Sequence, residues 1–530
     1  MVRKQALAVA FCAAASLIIV SLASSHAQQR QPQQRQPQQR QSPPPQQGSQ
    51  PRAPFDAVQQ AQQGAQPRSE QGQPQPTRSG DDQTARNPPA MPITAALNDQ
   101  VDQGKETGFK FSIDAHNSKK PGQTFEEHMA ADIEAKPGVM NLQQKLLESR
   151  YNLEPKLDPE AKMSRGKPLP VGPTAKLKNG LSWDQLGQMS ADQIKQADAF
   201  PYPSLPHPKH ATGGQVFPQV QIEQFPRLER FDVDFDLPEA FIPEFPPVVF
   251  LQNRPELGDV SNGEIVSINN FHRLFKHLIT PVQLDGLRLL VTPFPQEEFN
   301  PTDDRKTRNP SLGVTCFDCH VNGHTTGQFH LNPDTRPQER RMRLDTTSLR
   351  GMFNQQIHGS KRSLRSVEDF TEFEQRTAYF NGDPIRAMKK GMNFLDRIQV
   401  SHMAQFQNML DFPPAPKLQW DGKLDPDKAT EAELRGQEVF YGKGRCAECH
   451  SGPAFLDHLM HDLHLERFLN EPGDGPIKTF TLRGIKDSPP YLHDGRCLTL
   501  EDTVEFFNVV LATQLTAEEK QDLVHFLRQL

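Results

Sequence analysis

The sequence contains the motif Cys-x-x-Cys-His twice, and this motif restricts the chain more than any other feature. The residues concerned are Cys316, Cys319 and His320 in the first copy and Cys446, Cys449 and His450 in the second. Two thiols at this spacing add to the two vinyl groups on one edge of a porphyrin, and the following His then lies beneath the ring as an iron ligand. A zinc site would need both Cys pairs to close one tetrahedron, and a redox dithiol needs no His. The motifs therefore predict two covalently bound c-type haems, with His320 and His450 as iron ligands.

The first residues are typical of an export signal. Arg3 and Lys4 precede an apolar run from Ala6 to about Val20, and Ala27 ends a group of small residues that suits cleavage. We therefore expect residues 1–27 to be a signal peptide and the protein to be periplasmic. A membrane tether would remain only if the signal were not cleaved.

A Gln/Pro-rich tract follows the signal over residues 28–95. It has too little apolar surface to offset its chain entropy, so we expect a disordered linker. The net charge of the whole chain is −6, which does not suit a nucleic-acid-binding surface.

Helix signals surround the second motif. Thr430 and Glu433 form a capping box, and glycines at 442 and 444 end the helix just before the motif. Thr516 caps a last helix that carries an apolar stripe at helical spacing. A helix, the motif, an irregular stretch and a closing helix are the pattern of a cytochrome c domain.

The region after the first motif repeats the region after the second. Thr347–Gly351 corresponds to Phe480–Gly484, and Ser366 and Thr499 then occupy matching positions before a helix. The helix preceding the first motif is predicted at Gln283–Leu290. We predict a mainly α fold with two cytochrome c-like haem domains in tandem, 256–415 and 416–530. Residues 96–255 are expected to form an irregular wrapping segment of unknown role.

Over about residues 265–530 the sequence resembles the bacterial dihaem cytochrome c peroxidase and MauG superfamily. The similarity rests on Cys446–Phe455, on Thr481–Gly484, and on Pro490–Gly495 followed by Thr499–Asp502. It implies an oxidoreductase in which one haem relays electrons and the other, with an open iron face, reacts. It also implies a small electron-donor protein, such as a monohaem cytochrome c or a cupredoxin, and hydrogen peroxide as the oxidant.

The chain departs from this family at the positions of the distal residues. Phe507 stands where the peroxidases have a Met ligand and MauG has a Tyr. Ile357-His358-Gly359 replaces a Trp-Asp-Gly phrase, and Phe370 and Phe380 fall at the positions of a distal Gln and Glu. The second haem thus lacks its expected ligand, for which Met460, His461 and His493 are substitutes.

Several other side chains are candidates for the haem sites. Arg350 and Arg483 are predicted propionate partners, because a guanidinium matches a carboxylate. The candidate catalytic residues are His358, His493, Glu372 and Glu374. A hydrogen bond to a propionate or the backbone is the alternative for each His, and a solvated helix face is the alternative for each Glu.

Three functions are compatible with these observations. The first is an oxidoreductase of the peroxidase and MauG type. The second is a pure electron-transfer cytochrome with two six-coordinate irons, and the third is a dioxygen-activating dihaem oxygenase. The sequence also leaves Cys497 either buried or available for a crosslink, and favours a core position for Trp420 over a place between the haems.

Overall fold

The structure is a computed structural model. It describes residues 147–200, 237–292, 315–327, 343–375, 395–470 and 475–530, the backbone of 329–331, and isolated positions at 134, 137–138, 141, 144–145, 202 and 473. The predicted signal peptide and Gln/Pro-rich tract lie outside the described residues. Within the described part, no helix combines the length and apolarity needed to cross a membrane.

The described part is mainly helical. Its only sheets are three two-stranded antiparallel pairs, which are β1 (Lys156–Lys162) with β2 (Pro168–Val171), β3 (Phe329–Leu331) with β4 (Arg343–Asp345), and β5 (Met460–His461) with β6 (Ile477–Lys478). The helices are α1 (Trp183–Gln188), α2 (Ala191–Ala197), α3 (Phe271–Phe275), α4 (Pro281–Leu290), α5 (Cys316–Cys319), α6 (Val367–Glu374), α7 (Arg397–Gln407), α8 (Glu431–Tyr441), α9 (Leu500–Val510) and α10 (Ala517–Leu527). The expectation of a mainly α fold is confirmed.

The helices begin where the capping signals predict. The hydroxyls of Thr430 and Thr516 accept the backbone N–H groups of Glu433 and Glu519, and α8 and α10 follow directly. Because each cap satisfies a backbone donor that the helix leaves unpaired, the start of each helix is specified locally. Thr280 caps α4 in the same way, so the predicted helix before the first motif is present.

Each Cys-x-x-Cys-His motif follows a helix that crosses a later helix at a glycine. Gly286 of α4 faces the backbone of α7, and Gly436 of α8 faces the backbone of α10. A Cβ at either position would overlap a carbonyl oxygen of the facing helix, that of His402 or that of Asp522. The two glycines therefore permit the same close crossing of helices in both halves.

The Arg-Gly turns also match. Gly351 and Gly484 both have φ of +74°, and each begins a short 3-10 helix. Their N–H groups donate to Leu410 and Leu530 carbonyls, both at 2.9 Å. Helices capped by Ser366 and Thr499 follow, as the repeat predicts.

Two hydrophobic cores lie beneath these elements. One contains α4, α7 and Phe317, and the other contains α8, α9 and α10. Leu147, Tyr151 and the 186–202 stretch join the second core, so part of the N-terminal region packs against the second motif's helices. The core position favoured for Trp420 is wrong, since its side chain is 91 % exposed on a loop that turns back at Gly422.

Candidate haem sites

The second motif lies in a tight turn after α8. Gly442 ends the helix, and the N–H of His450 donates to the Cys446 carbonyl at 2.9 Å. The imidazole Nδ1 of His450 is 3.0 Å from the Phe455 carbonyl oxygen. Donation through Nδ1 fixes the ring and leaves Nε2 as the nitrogen that can ligate iron.

A cavity of about 320 Å³ adjoins this motif. Cys449 and His450 line it, together with apolar side chains that include Leu482, Phe506 and Phe507. Cys446 and Cys449 form no disulfide, and burial raises the pKa of the Cys446 thiol to about 12. Burial also lowers the pKa of His450, which favours the neutral imidazole that binds metals. The second site therefore fits a covalently attached haem: the Cys449 thiol, a neutral imidazole and an apolar wall face one cavity, and Cys446 lies one turn before them in the motif.

The first motif is a short helix, α5, capped by Thr315. The His320 N–H donates to the Cys316 carbonyl at 3.0 Å, which reproduces the bond between His450 and Cys446. Burial lowers the pKa of His320 to about 4, so its imidazole is neutral at pH 7. The first site thus presents the same donor set as the second.

A buried histidine that the sequence analysis did not single out connects the two motif regions. His324 has Nδ1 2.7 Å from the Ser348 hydroxyl and Nε2 2.8 Å from the Asp487 carbonyl. Burial and the charge of Arg350 lower its pKa well below the usual value. The sequence places His324 four residues after His320, but this spacing alone does not mark it as a site residue among the other histidines.

The two predicted propionate partners hold protein groups in the described structure. Arg350 forms a buried ion pair with Asp487 at 3.3 Å and donates to the Val248 carbonyl. Arg483 donates to the carbonyls of Leu530 at 2.9 Å and Pro413 at 3.1 Å. Arg350 also lines the cavity with Arg483, so their role toward haem stays a prediction.

Among the four candidate catalytic side chains, His493 lies on the lining of the described cavity and the other three do not. Glu372 pairs with Arg397 on the surface of α6, and Glu374 lies one half-turn further along that helix. His358 is 2 % exposed and pairs with Leu364 through a β-bridge.

That bridge shows which residue of the second half corresponds to His358. The matching bridge in the second half joins Tyr491 to Cys497, so the counterpart of His358 is Tyr491 and not His493. Cys497 is fully buried there, which answers the question of its accessibility. The spacing from the Arg-Gly turns gives the same match, since His358 and Tyr491 each lie eight residues after the Arg, whereas His493 lies ten residues after Arg483.

Sequence reasoning also missed two charged side chains on the cavity wall, Asp345 and Lys478. Burial and the charge of Asp494 raise the pKa of Asp345 well above its usual value, and its Oδ1 has no hydrogen-bond partner among the described residues. This raised pKa favours the protonated form of Asp345, which can donate a proton. Neither residue belongs to a motif, so the sequence carried no signal for them.

Comparison with known proteins finds cytochrome c peroxidases, MauG proteins and a hydrazine synthase subunit among the similar sequences. Cytochrome c551 peroxidase of Nitrosomonas europaea is 31 % identical over 153 residues, which cover 26 % of this chain and 44 % of that protein. The methylamine utilization protein MauG of Methylorubrum extorquens is 28 % identical over 222 residues, 37 % of this chain and 56 % of MauG. A hydrazine synthase gamma subunit from Kuenenia stuttgartiensis is 32 % identical over 168 residues, which cover 23 % of this chain and 46 % of that protein.

The chain thus spans about half the length of the curated relatives it matches. No protein-family model matches it. The two Cys-x-x-Cys-His sites and the relatives agree on two covalently bound c-type haems. Over the matched residues, the chain is similar to bacterial cytochrome c peroxidases and to MauG proteins.

Proposed function

We propose that this protein is an exported, periplasmic oxidoreductase of the peroxidase and MauG type, with one reactive haem and one electron-relay haem. Residues 256–415 would form the first haem domain and 416–530 the second. Cys316 and Cys319 would attach one haem and Cys446 and Cys449 the other, with His320 and His450 as iron ligands. A monohaem cytochrome c or a cupredoxin is the proposed electron donor.

One observation carries this proposal: the same frame of helix, motif, Arg-Gly turn and following helix occurs twice, and both halves contribute to the wall of the cavity beside the second motif. Residues from both halves line that cavity, among them Thr325 and Ser348 from the first and His450 and Thr481 from the second. Two redox groups held on either side of one wall suit electron transfer between them. When bound, the haems supply the redox chemistry, which lies beyond the reach of the side chains alone.

The chain itself contributes orientation, exclusion of water and a proton. The Phe455 carbonyl holds the His450 ring, and Phe506 and Phe507 keep the cavity wall apolar. Reduction of a peroxide consumes protons, so a protonated acid at the cavity is required. Asp345 is our candidate, because it lines the cavity and because burial and the charge of Asp494 raise its pKa, which favours the protonated form.

A pure electron-transfer function is the second candidate, and the cavity lining favours it in one respect. Phe507 cannot ligate iron, but His461 and His493 line the same cavity. His461 is held 2.6 Å from the Asp457 carboxylate, while His493 follows Leu492 in the turn before Arg496. If either ring ligates the second iron and the first iron is also six-coordinate, no open face remains.

The test is peroxide reduction by the purified holoprotein with a reduced monohaem cytochrome c as donor. We expect turnover in the wild type and a loss of at least about 100-fold in Asp345→Asn, the lower range for removal of a general acid. Asp427→Asn, an exposed carboxyl on a loop, is the matched control and should keep full turnover. Absence of peroxide turnover in a wild type with full haem content would refute the proposed activity.

A further inference from the structure

Lys478 is a buried lysine that nothing above assigns to a function. It is 3 % exposed and lies at the end of β6, where its backbone pairs with Met460. Its ammonium donates to the Gln355 carbonyl and lies 5.2 Å from the centre of the Phe480 ring. Both contacts are with uncharged groups.

No carboxylate among the described residues pairs with this ammonium. Its charged neighbours are basic. The positive charge of Arg362 lowers the pKa of Lys478, and the charge of Lys478 lowers the pKa of His358. Arg362 Nε and His358 Nε2 are both buried, and neither has a hydrogen-bond partner among the described residues. Lys478 therefore has no described counter-charge, whereas His358 has the carboxylate of Glu368 as a neighbour.

Burial of an ammonium without a counter-charge is strongly unfavourable, and lysine readily loses its proton in such a place. Burial lowers the pKa of Lys478 to about 8, which shows the same imbalance. The arrangement is explained if an anion completes it. A carboxylate suits both the charge and the three donors.

The position of Lys478 indicates which carboxylate this is. Lys478 and Gln355 line the same cavity as Cys449 and His450. A haem attached at Cys446 and Cys449 brings two propionate carboxylates into that cavity. Arg350 and Arg483, the partners expected from the sequence, already hold Asp487 and two backbone carbonyls.

We propose that Lys478 binds a propionate of the haem carried by the second motif. Lys478 is thus a cofactor-binding residue that joins the second haem to the Gln355–Arg362 segment after the first motif. This inference rests on the two c-type haems and holds whichever activity the protein has. Its failure and the failure of the peroxidase proposal can be told apart, because its readouts do not depend on turnover.

The experiment uses the full-length holoprotein and three variants. Lys478→Gln removes the charge, Lys478→Arg keeps it, and Lys423→Gln removes a charge from an exposed loop as the matched control. Spectroelectrochemical titration measures both reduction potentials. Infrared difference spectra of protein grown with haem labelled by 13C at the propionate carboxyls report the carboxylates directly.

A nearby cation favours the reduced haem over the oxidised haem, because reduction removes one positive charge from the iron. Loss of that cation in Lys478→Gln should therefore lower the reduction potential of one haem. We expect a shift of about tenfold in that haem's reduction equilibrium, with the other haem unchanged. The labelled carboxylate band should move in the same variant. Lys478→Arg should stay close to wild type in both readouts, and Lys423→Gln should match wild type.

A free anion in place of the propionate is the alternative source of the carboxylate. In that case, adding acetate would shift the potential of the wild type, and the labelled band would not respond to Lys478→Gln. Either that result, or unchanged potentials and bands in a folded Lys478→Gln protein, would overturn the proposal. If Lys478→Gln fails to fold, Lys478→Met, which keeps the apolar stem, carries the same test with the same expected shift in that potential and the same band.

Discussion

The buried pair between Arg350 and Asp487 gives the sharpest stability prediction. The two side chains are 6 % and 5 % exposed, and Arg350 Nη1 lies 3.3 Å from the Asp487 carboxylate. The same carboxylate accepts the N–H of Ser164 at 3.0 Å and also its hydroxyl. Asp487→Ala therefore leaves a buried guanidinium and two further donors without their acceptor.

The magnitude follows from this geometry. Breaking a buried ion pair by removing one partner costs about 3–5 kcal/mol, because the remaining charge is left uncompensated. Arg350 keeps its hydrogen bond to the Val248 carbonyl, so we expect the lower end, about 3 kcal/mol. Replacing both partners by apolar residues, Arg350→Met with Asp487→Leu, removes the stranded charge and should recover most of that loss.

The assay is guanidinium unfolding of the holoprotein, followed by far-UV circular dichroism. Asp427→Ala, which removes an exposed carboxyl, is the control and should change the free energy of unfolding by less than about 0.5 kcal/mol. An Asp487→Ala protein within about 1 kcal/mol of wild type would refute the reasoning. So would a double variant that is less stable than the single one.

Three further predictions concern other parts of the molecule. Gly436→Ala should destabilise the protein by about 1–3 kcal/mol, because the new methyl group overlaps the backbone of the facing helix. Gly187→Ala is the control, since the space around Gly187 is open, and it should be neutral or stabilising. Thermal unfolding measures both effects. Burial lowers the pKa of Lys167 to about 8, so the folded state disfavours its charged form. Because the unfolded chain then binds more protons, the free energy of unfolding should rise between about pH 8 and pH 10.5. Measured across this pH range, the free energy of unfolding of Lys167→Met should show a smaller rise. In separate His320→Gly and His450→Gly proteins, we expect loss of high-spin ferric signal in the first alone, and loss in the second alone would assign the reactive haem to the second motif.

The local features of the fold could be predicted from the sequence. Capping residues satisfy their own helix's donors, so Thr430 and Thr516 mark helix starts without reference to the rest of the chain. The iron-binding motif is also local, since its spacing alone sets the chemistry. The helix starts were confirmed where the structure describes them, and the repeated Arg-Gly turn at Gly351 and Gly484 agreed in backbone geometry, while the iron-binding roles of the motif residues stay predictions.

The long-range contacts could not be predicted in the same way. Tyr151 donates to the Arg496 carbonyl at 2.6 Å, and Thr174 binds Asp502, across more than three hundred residues. No periodicity records such a partnership, so the packing of the N-terminal region on the second half appeared only in three dimensions. The absence of a carboxylate partner for Lys478 among the described residues could not be predicted either, because it depends on which distant segments of the chain line the cavity.

The central claim is that one iron is open and the other has two strong ligands. Low-temperature EPR of the fully oxidised holoprotein, with spins counted against haem content, tests it most directly. We expect one high-spin and one low-spin ferric haem per chain in equal amounts. Two low-spin signals with no high-spin component would contradict the account and favour a pure electron carrier.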